Sequence, residues 1–249
     1  MKIVVTGASG FIGSALVRQL GAEGVRYREP AGLDADVVIH CGHDFAPGAQ
    51  GRNIELARAL IAARRLLYFS SCSAVAQARS EYGRTKYLIE RMVLEAGHTV
   101  IRPGLVIGPG GLFLRTAQAL RRARFVPLVE GGRLLVPVVA LPDLLAAVAA
   151  IVDVPGQAEW NLFLPELIAQ RDYVHAIAPR ARIVPVPAGL ALRLLRVARA
   201  AGIRLPVGEE NLLGILDSQC LPWTSDLPGL AAHPRTLATM VSEALGDHA

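Results

Sequence analysis

Thr6-Gly7-Ala8-Ser9-Gly10-Phe11-Ile12-Gly13 stands between an apolar run at residues 2–6 and a stretch with apolar side chains at helical spacing, residues 11–20. A strand, a glycine-rich turn and a helix in that order are the frame in which three glycines carry meaning. Gly7 and Gly10 let the backbone turn tightly and approach a pyrophosphate. Gly13 lets the helix pack against the strand, and the helix N-terminus adds N–H donors and positive potential. We therefore expect a dinucleotide site at Gly7, Ser9, Gly10, Phe11, Ile12 and Gly13.

Outward from this turn, short apolar runs alternate with helical patterns. Strands are expected at residues 2–6, 25–28, 37–41, 66–71 and 99–102, with helices at 11–20, 53–63 and 82–95. Strands separated by helices imply βαβ units, hence a parallel sheet of doubly wound α/β type. After Pro103 a glycine-rich turn precedes an arginine-rich helix at 112–122. A helix at 144–152 and a strand at 160–164 follow. From about residue 165 short helices and proline-rich turns suggest a small lobe, so the expected division is 1–165 and 166–249.

Composition narrows the function classes. The 249 residues are 52% hydrophobic and 19% charged, which suits a packed core and argues against disorder. The most apolar stretch, residues 134–154, holds Pro137, Pro142 and Asp143 and makes a poor membrane span. Met1 runs straight into a strand-like segment with no charged-then-apolar leader, so a cytoplasmic protein is expected. Cys41, Cys72 and Cys220 lack metal or disulfide spacing, and no bound metal is expected. His40 and His43 fall at the end of the 37–41 run without a ligand spacing; His43 is placed to touch substrate.

The net charge is +5, yet of 26 basic residues only Lys2 and Lys86 are lysines. Without a recognition motif the arginines read as solvated surface, and no nucleic-acid partner is expected. In the helix expected at 190–201, Arg193, Arg196 and Arg199 recur every third residue. The expectation is a solvated stripe over a packed apolar face and no membrane partner, with a membrane-surface or partner helix as the alternative.

Tyr82 and Lys86 are one helical turn apart on one face. An ammonium beside a phenol favours the phenolate and lowers the tyrosine pKa toward working pH, where it exchanges a proton with a substrate oxygen. Lysine can relay a proton and arginine cannot, so a lysine in a chain that otherwise writes arginine is informative.

These motifs together resemble the extended short-chain dehydrogenase/reductases, the NAD-dependent epimerase/dehydratase family. TGASGFIGSALVRQL is similar to the family's opening, residues 36–42 to its "DxVxHxA" strand, and residues 53–64 to its "NVxGTxNLLxAA" helix. LLYFSSCSAV resembles its "SS-(Ser/Thr)" strand end, Tyr82 to Lys86 its YxxxK, and residues 101–110 its "RPxxVYGPG". Residues 137–148 look like its "hVxDvaxA" segment, and Asn161 fits its "yNlg". The likeness covers about residues 1–165 and only faintly the tail.

The resemblance implies a Rossmann sheet of that type, a small C-terminal substrate lobe and an NAD(P) cofactor. It puts Arg28, Cys41, Gly42, Asn53, Ser71, Tyr82, Lys86 and Pro103 beside the cofactor, with Tyr82 and Lys86 catalytic. Its third catalytic position, a hydroxyl, falls on Cys72; Ser73 or Ser71 takes the role by a small register shift, or the site is altered. The segment between residues 28 and 37 is short, with Glu29 near the second strand and Arg26 and Arg28 able to face a 2′-phosphate. The balance leans to NADP over NAD. Leu105 and Val136 replace the asparagine and arginine of nucleotide-sugar members, Ala76 replaces a tyrosine, and the loop from Cys72 to Tyr82 is short.

The expected activity is hydride transfer on a small keto or hydroxy compound, sugar-derived in one reading. A nucleotide-sugar epimerase or dehydratase, and a dinucleotide-binding protein with a decayed site, are the competing readings. A homodimer pairing through helices such as 82–95 is in keeping with the family.

Overall fold

The central strands are continuous apolar runs because both of their faces are covered. The computed structural model describes residues 1–26, 34–46, 48–156, 158–203, 205, 207–220, 224–230 and 234–246. In chain order come β1 (Ile3–Thr6), α1 (Phe11–Leu20), β2 (Glu23–Val25), β3 (Val37–His40), α2 (Gln50–Leu60), β4 (Leu66–Phe69), α3 (Glu81–Glu95) and β5 (Thr99–Pro103). Every residue of β3 and β4 is buried.

The chain continues through β6 (Leu105–Ile107), α4 (Gly111–Arg122), β7 (Phe125–Val129), β8 (Leu135–Val136), β9 (Val138–Ala140), α5 (Leu141–Val152) and β10 (Ala158–Leu162). It ends in β11 (Ile168–Ala169), α6 (Gln170–Ile177), β12 (Arg182–Val186), α7 (Ala188–Ala200), α8 (Glu209–Asp217) and α9 (Leu237–Leu245).

The main sheet has six parallel strands in the order β10-β5-β4-β3-β1-β2. Strand order reverses between β1 and β3, so a crevice opens at their C-terminal ends, where doubly wound sheets bind ligands. This is the expected α/β doubly wound architecture. One face of the sheet packs Leu16, Leu144, Val148 and Ile151 against Val5, Ile39 and Ile101. The other packs Ala57, Leu60, Ile89 and Val93 against Val4, Val38 and Tyr68.

A second apolar core joins Ile107, Phe113, Val126 and Val138 to Tyr173, Ile177, Met240 and Val241. It thus takes side chains from both sides of the division expected at residue 165. A third cluster of Val129, Leu134 and Leu212 sits beneath α7.

The second strand departs from the expectation of residues 25–28. Gly21 ends α1 in a left-handed conformation (φ 59°), so the chain reverses at once and Glu23, Gly24 and Val25 pair with Val4, Val5 and Thr6. Gly24 faces the Ala8 methyl closely enough that a Cβ would lie 2.9 Å from it. Arg28 and Glu29 lie outside the described residues. The other shifts are at element ends. α2 runs from residue 50 to 60, not 53 to 63, α5 begins at Leu141 with Pro142 in its first turn, and β10 begins at Ala158. α7 spans Ala188–Ala200.

α3 is locked to β5 by an ion pair in the interior. Arg102 donates to both carboxylate oxygens of Glu90 at 2.9 and 2.7 Å and reaches Glu159 on β10 at 2.7 Å. The Glu90 side chain is 2% exposed, and burial raises its pKa against the pull of Arg102. A buried pair is costly to break on one side, because the remaining charge has lost its water without a substitute. Arg102→Met should therefore lower unfolding stability by about 3 kcal/mol, and Glu90→Gln/Arg102→Met together by less. Urea denaturation of both variants measures the difference.

Candidate active site

Parallel strands deliver their C-terminal ends to one edge of the sheet, where the glycine turn, Cys41, Ser71, Tyr82 and Lys86 lie; Arg28 falls outside the described residues. After β1 the chain turns through Gly7 (φ 76°), where a Cβ would lie 2.5 Å from the Gly42 nitrogen. A Cβ on Gly13 would run into the Gly7 carbonyl oxygen. The turn closes with Gly10 N–H donating to Gly7 O at 2.9 Å. Gly10 caps α1 without a side chain, and no carboxylate stands in the helix's first turn. The result is an open, positively polarised helix end beside a backbone that only glycine permits. Ser9 and Gly10 are exposed on it. The fit to a dinucleotide pyrophosphate is good, and Gly7, Ser9, Gly10 and Gly13 are the residues that would hold it.

Phe11 does something the sequence did not disclose. Its ring packs against Gly108, Gly110 and Gly111, where added Cβ atoms would lie 2.6 to 2.9 Å from it. The glycine-rich turn before α4 is thus shaped by this ring, and the turn couples the N-terminal motif to the second core. Asn53 is also engaged. Its amide donates to Asp44 O and Ala49 O, and its Oδ1 accepts from Asp44 N at 2.9 Å, so it clasps the loop after β3.

Tyr82 and Lys86 lie in the first turns of α3, which Ser80 caps by accepting from Gly83 N at 3.0 Å. Lys86 is 3% exposed. Its ammonium donates to Phe69 O at 2.6 Å and sits 4.6 Å from the Tyr68 ring centroid and 5.8 Å from that of Tyr82. Burial lowers its pKa to about 8. Burial pushes the Tyr82 pKa up to about 12 although the neighbouring Ser71 hydroxyl pulls it down, with Cys72 and Glu90 adding to the rise. The expected lowering of the tyrosine pKa by Lys86 is therefore not what the geometry gives: desolvation dominates and the phenol keeps its proton at neutral pH.

The strand end after β4 separates the three candidates for the hydroxyl position. Ser71 faces the phenol. Ser73 Oγ lies 3.0 Å from Ser71 Oγ, behind it. The Cys72 thiol turns the other way and donates to Pro103 O at 3.4 Å, and burial raises its pKa to about 12. Cys41, at the end of β3, is likewise raised to about 12 by burial.

Aromatic rings surround Tyr82. His43 meets its ring edge-on at 4.8 Å, and Phe45 stacks on it at 5.6 Å with planes 18° apart while 78% exposed. Phe45 escaped the sequence reading, although a lone phenylalanine among Gly, Pro and Asp in a loop was a signal. His40 is buried, with Nδ1 2.5 Å from Thr6 Oγ1 and its ring stacked on Tyr68. Burial first, then Lys86, lowers both His40 and His43 to about 3, so both are neutral here. Arg26 is exposed directly after β2. Among the described residues no group of three or more potential ligands could hold a metal ion, and no helix is long and apolar enough to cross a membrane.

Solved structures share this architecture. A nucleoside-diphosphate-sugar epimerase of Staphylococcus aureus matches with a TM-score of 0.73 at 13% identity, over 98% of this chain and all of its own. The chain has the Rossmann fold of the epimerase and reductase structures. The triphenylmethane reductase of a Citrobacter species matches equally well (TM-score 0.73, 15% identity, 99% of this chain and 100% of that one). A human epimerase family protein solved with NADPH follows at 0.65 and 16% identity, covering both chains fully. No protein-family model and no curated protein matches the sequence.

His40 makes folding sensitive to acid. Its folded pKa lies below the unfolded value near 6.5, so the unfolded chain binds the extra proton between about pH 6.5 and 3. Its contribution to stability is complete above pH 6.5 and is lost as the pH falls. From pH 7 to 5 the loss should be roughly 2 kcal/mol. Denaturant unfolding across that range should show a shallower slope in His40→Asn than in the parent.

Proposed function

We propose that the protein is an NAD(P)-dependent oxidoreductase of the extended short-chain dehydrogenase/reductase family that reduces the carbonyl group of a small keto compound. The observation that carries this reading is the protonated Tyr82 phenol, beside Ser71 and one turn from the buried ammonium of Lys86, at the strand edge that also bears the glycine turn. A nicotinamide dinucleotide bound at Gly7 to Gly13 supplies the hydride. Tyr82 gives its proton to the substrate oxygen, which becomes the product hydroxyl, and Ser71 donates a hydrogen bond to the same oxygen. Lys86, charged below about pH 8, favours the phenolate left behind. Cys72 takes no part, since its thiol is turned to Pro103. Ser73 holds Ser71 in place.

Two observations favour net reduction over a nucleotide-sugar epimerase or dehydratase. Leu105 and Val136 are apolar where those enzymes address a diphosphate, and the rings packed against Tyr82, Phe45 and His43, make its surroundings apolar as well. Arg26 beside the end of β2 supports NADP as the preferred cofactor. The intact Tyr82, Lys86 and Ser71 constellation counts against a decayed site.

NADPH should bind more tightly than NADH in a nicotinamide-fluorescence titration. Against a panel of carbonyl compounds, Tyr82→Phe should lose at least about a hundredfold in turnover with NADPH affinity unchanged, and Ser71→Ala about tenfold or more. Retained turnover in Tyr82→Phe overturns the assignment. The rate of reduction should fall as the pH rises through about 8, where Lys86 loses its charge. Lys86→Arg, which stays charged, should be slower but lack that limb.

A further inference from the structure

α7 is an unusual helix for its position. None of its 13 residues is buried. Its inner side rests Ala188, Ala191, Leu192 and Leu195 on Val129, Leu134 and Leu212. Its outer side carries Leu190, Leu194 and Val197, four and three residues apart and so on one face, exposed by 49%, 56% and 65%. The expectation of a solvated arginine stripe over a packed apolar face is therefore half met: apolar side chains point both ways.

The charged residues of α7 itself are all arginines, Arg193, Arg196 and Arg199. Residues 173–208 hold six arginines and no aspartate or glutamate. Arg193 and Arg196 run along one edge of the outer face, with Arg196 tied to Glu209 at 2.6 Å. β12 feeds α7 through Pro187, and β12 pairs with β7 so that exposed Phe125 stands beside Arg182 and exposed Val184 beside Pro127. Next to this ribbon Arg121, Arg122, Arg124 and Arg180 line a cleft of about 440 Å³.

We propose that the outer face of α7 docks on an anionic lipid bilayer, with Leu190, Leu194 and Val197 entering the headgroup boundary and the arginines meeting lipid phosphates. Exposed leucines beside arginines on a helix too short to span are the pattern of an in-plane amphipathic helix. An anionic surface supplies countercharge to a stretch, residues 173–208, that carries six arginines and no acidic residue of its own. A second copy of the chain would set arginine against arginine across the same face, which argues against self-pairing there. The proposal does not depend on the cofactor or on the reaction.

The test is sedimentation with vesicles of phosphatidylglycerol and phosphatidylcholine in equal parts, against phosphatidylcholine alone. The full chain should pellet with the first and stay in solution with the second. Binding should weaken as salt rises, since the screening length falls from ~10 Å at 0.1 M to ~3 Å at 1 M. Arg193→Gln should bind roughly fivefold more weakly. Leu190→Glu/Leu194→Glu/Val197→Glu should not bind, while NADPH affinity or the circular dichroism spectrum shows that it folds. In Leu194→Trp the added indole should shift its emission to the blue with anionic vesicles. The proposal is overturned if the parent stays in solution with anionic vesicles, or if the triple variant pellets as the parent does. It is equally overturned if the triple substitution instead dissociates a dimer of a protein that ignores vesicles.

Discussion

The buried ammonium of Lys86 is the constraint around which the sheet edge is arranged. A charge taken from water needs donors and acceptors in fixed places, or it gives up its proton. Here Phe69 O accepts from it and the Tyr68 ring lies beneath it, a cation over an aromatic face. Its neighbours at the edge are kept uncharged. His40 and His43 stay neutral and Cys41 stays a thiol, in each case by burial first. The nearest buried carboxylate, Glu90, is one turn further along α3 and is claimed by Arg102. Among the described residues no carboxylate forms an ion pair with Lys86, and its positive charge is left beside Tyr82.

Holding that charge in place requires α3 to start at a defined point, and α8 near the C-terminal end of the chain supplies it. Asp217 on α8 accepts from Arg79 N at 2.8 Å and from Ser80 N at 3.4 Å, and also pairs with the Arg79 guanidinium at 2.7 Å. Glu210 accepts from Tyr82 N at 3.1 Å. Carboxylates at a helix N-terminus meet orphan N–H groups and the positive end of the dipole. Gly214 on the same helix leaves room for Ser73, whose Cβ would be 3.3 Å from an added Cβ. Folding of the tail and placement of Tyr82, Ser71 and Ser73 are thus one event, although more than 120 residues separate them.

The parts of this arrangement that follow local rules were legible beforehand. Alternating strands and helices, the glycine turn and the Tyr82–Lys86 spacing are short-range patterns, and the sheet order follows from them with right-handed crossovers. Contacts between distant segments were not legible. Spacing alone left Cys72, Ser73 and Ser71 as rivals for one position, because a strand end can rotate by one residue without changing its composition. Only the Pro103 carbonyl opposite Cys72 and the phenol opposite Ser71 separate them. Asn53 matched a family motif, yet its amide is spent on Asp44 and Ala49, contacts set by a loop whose path no periodicity encodes. The second strand moved two residues toward α1 because a left-handed Gly21 shortens the turn, a backbone feature invisible to hydrophobic pattern.

The use of lysine at position 86 follows from the same electrostatics. This chain writes 24 of its 26 basic residues as arginine. A guanidinium presents five donors in a rigid plane and stays charged in any protein site. At position 86 one carbonyl and the rings of Tyr68 and Tyr82 are on hand, so an arginine would leave most of its donors buried without acceptors. An ammonium is compact and can settle on a single acceptor. It is also the only strongly basic group whose pKa burial can bring down to about 8, where it can share in proton movement with a neighbouring phenol. The space between Phe69 O and Tyr68 therefore selects lysine on packing grounds, and the chemistry available to Tyr82 comes with that choice.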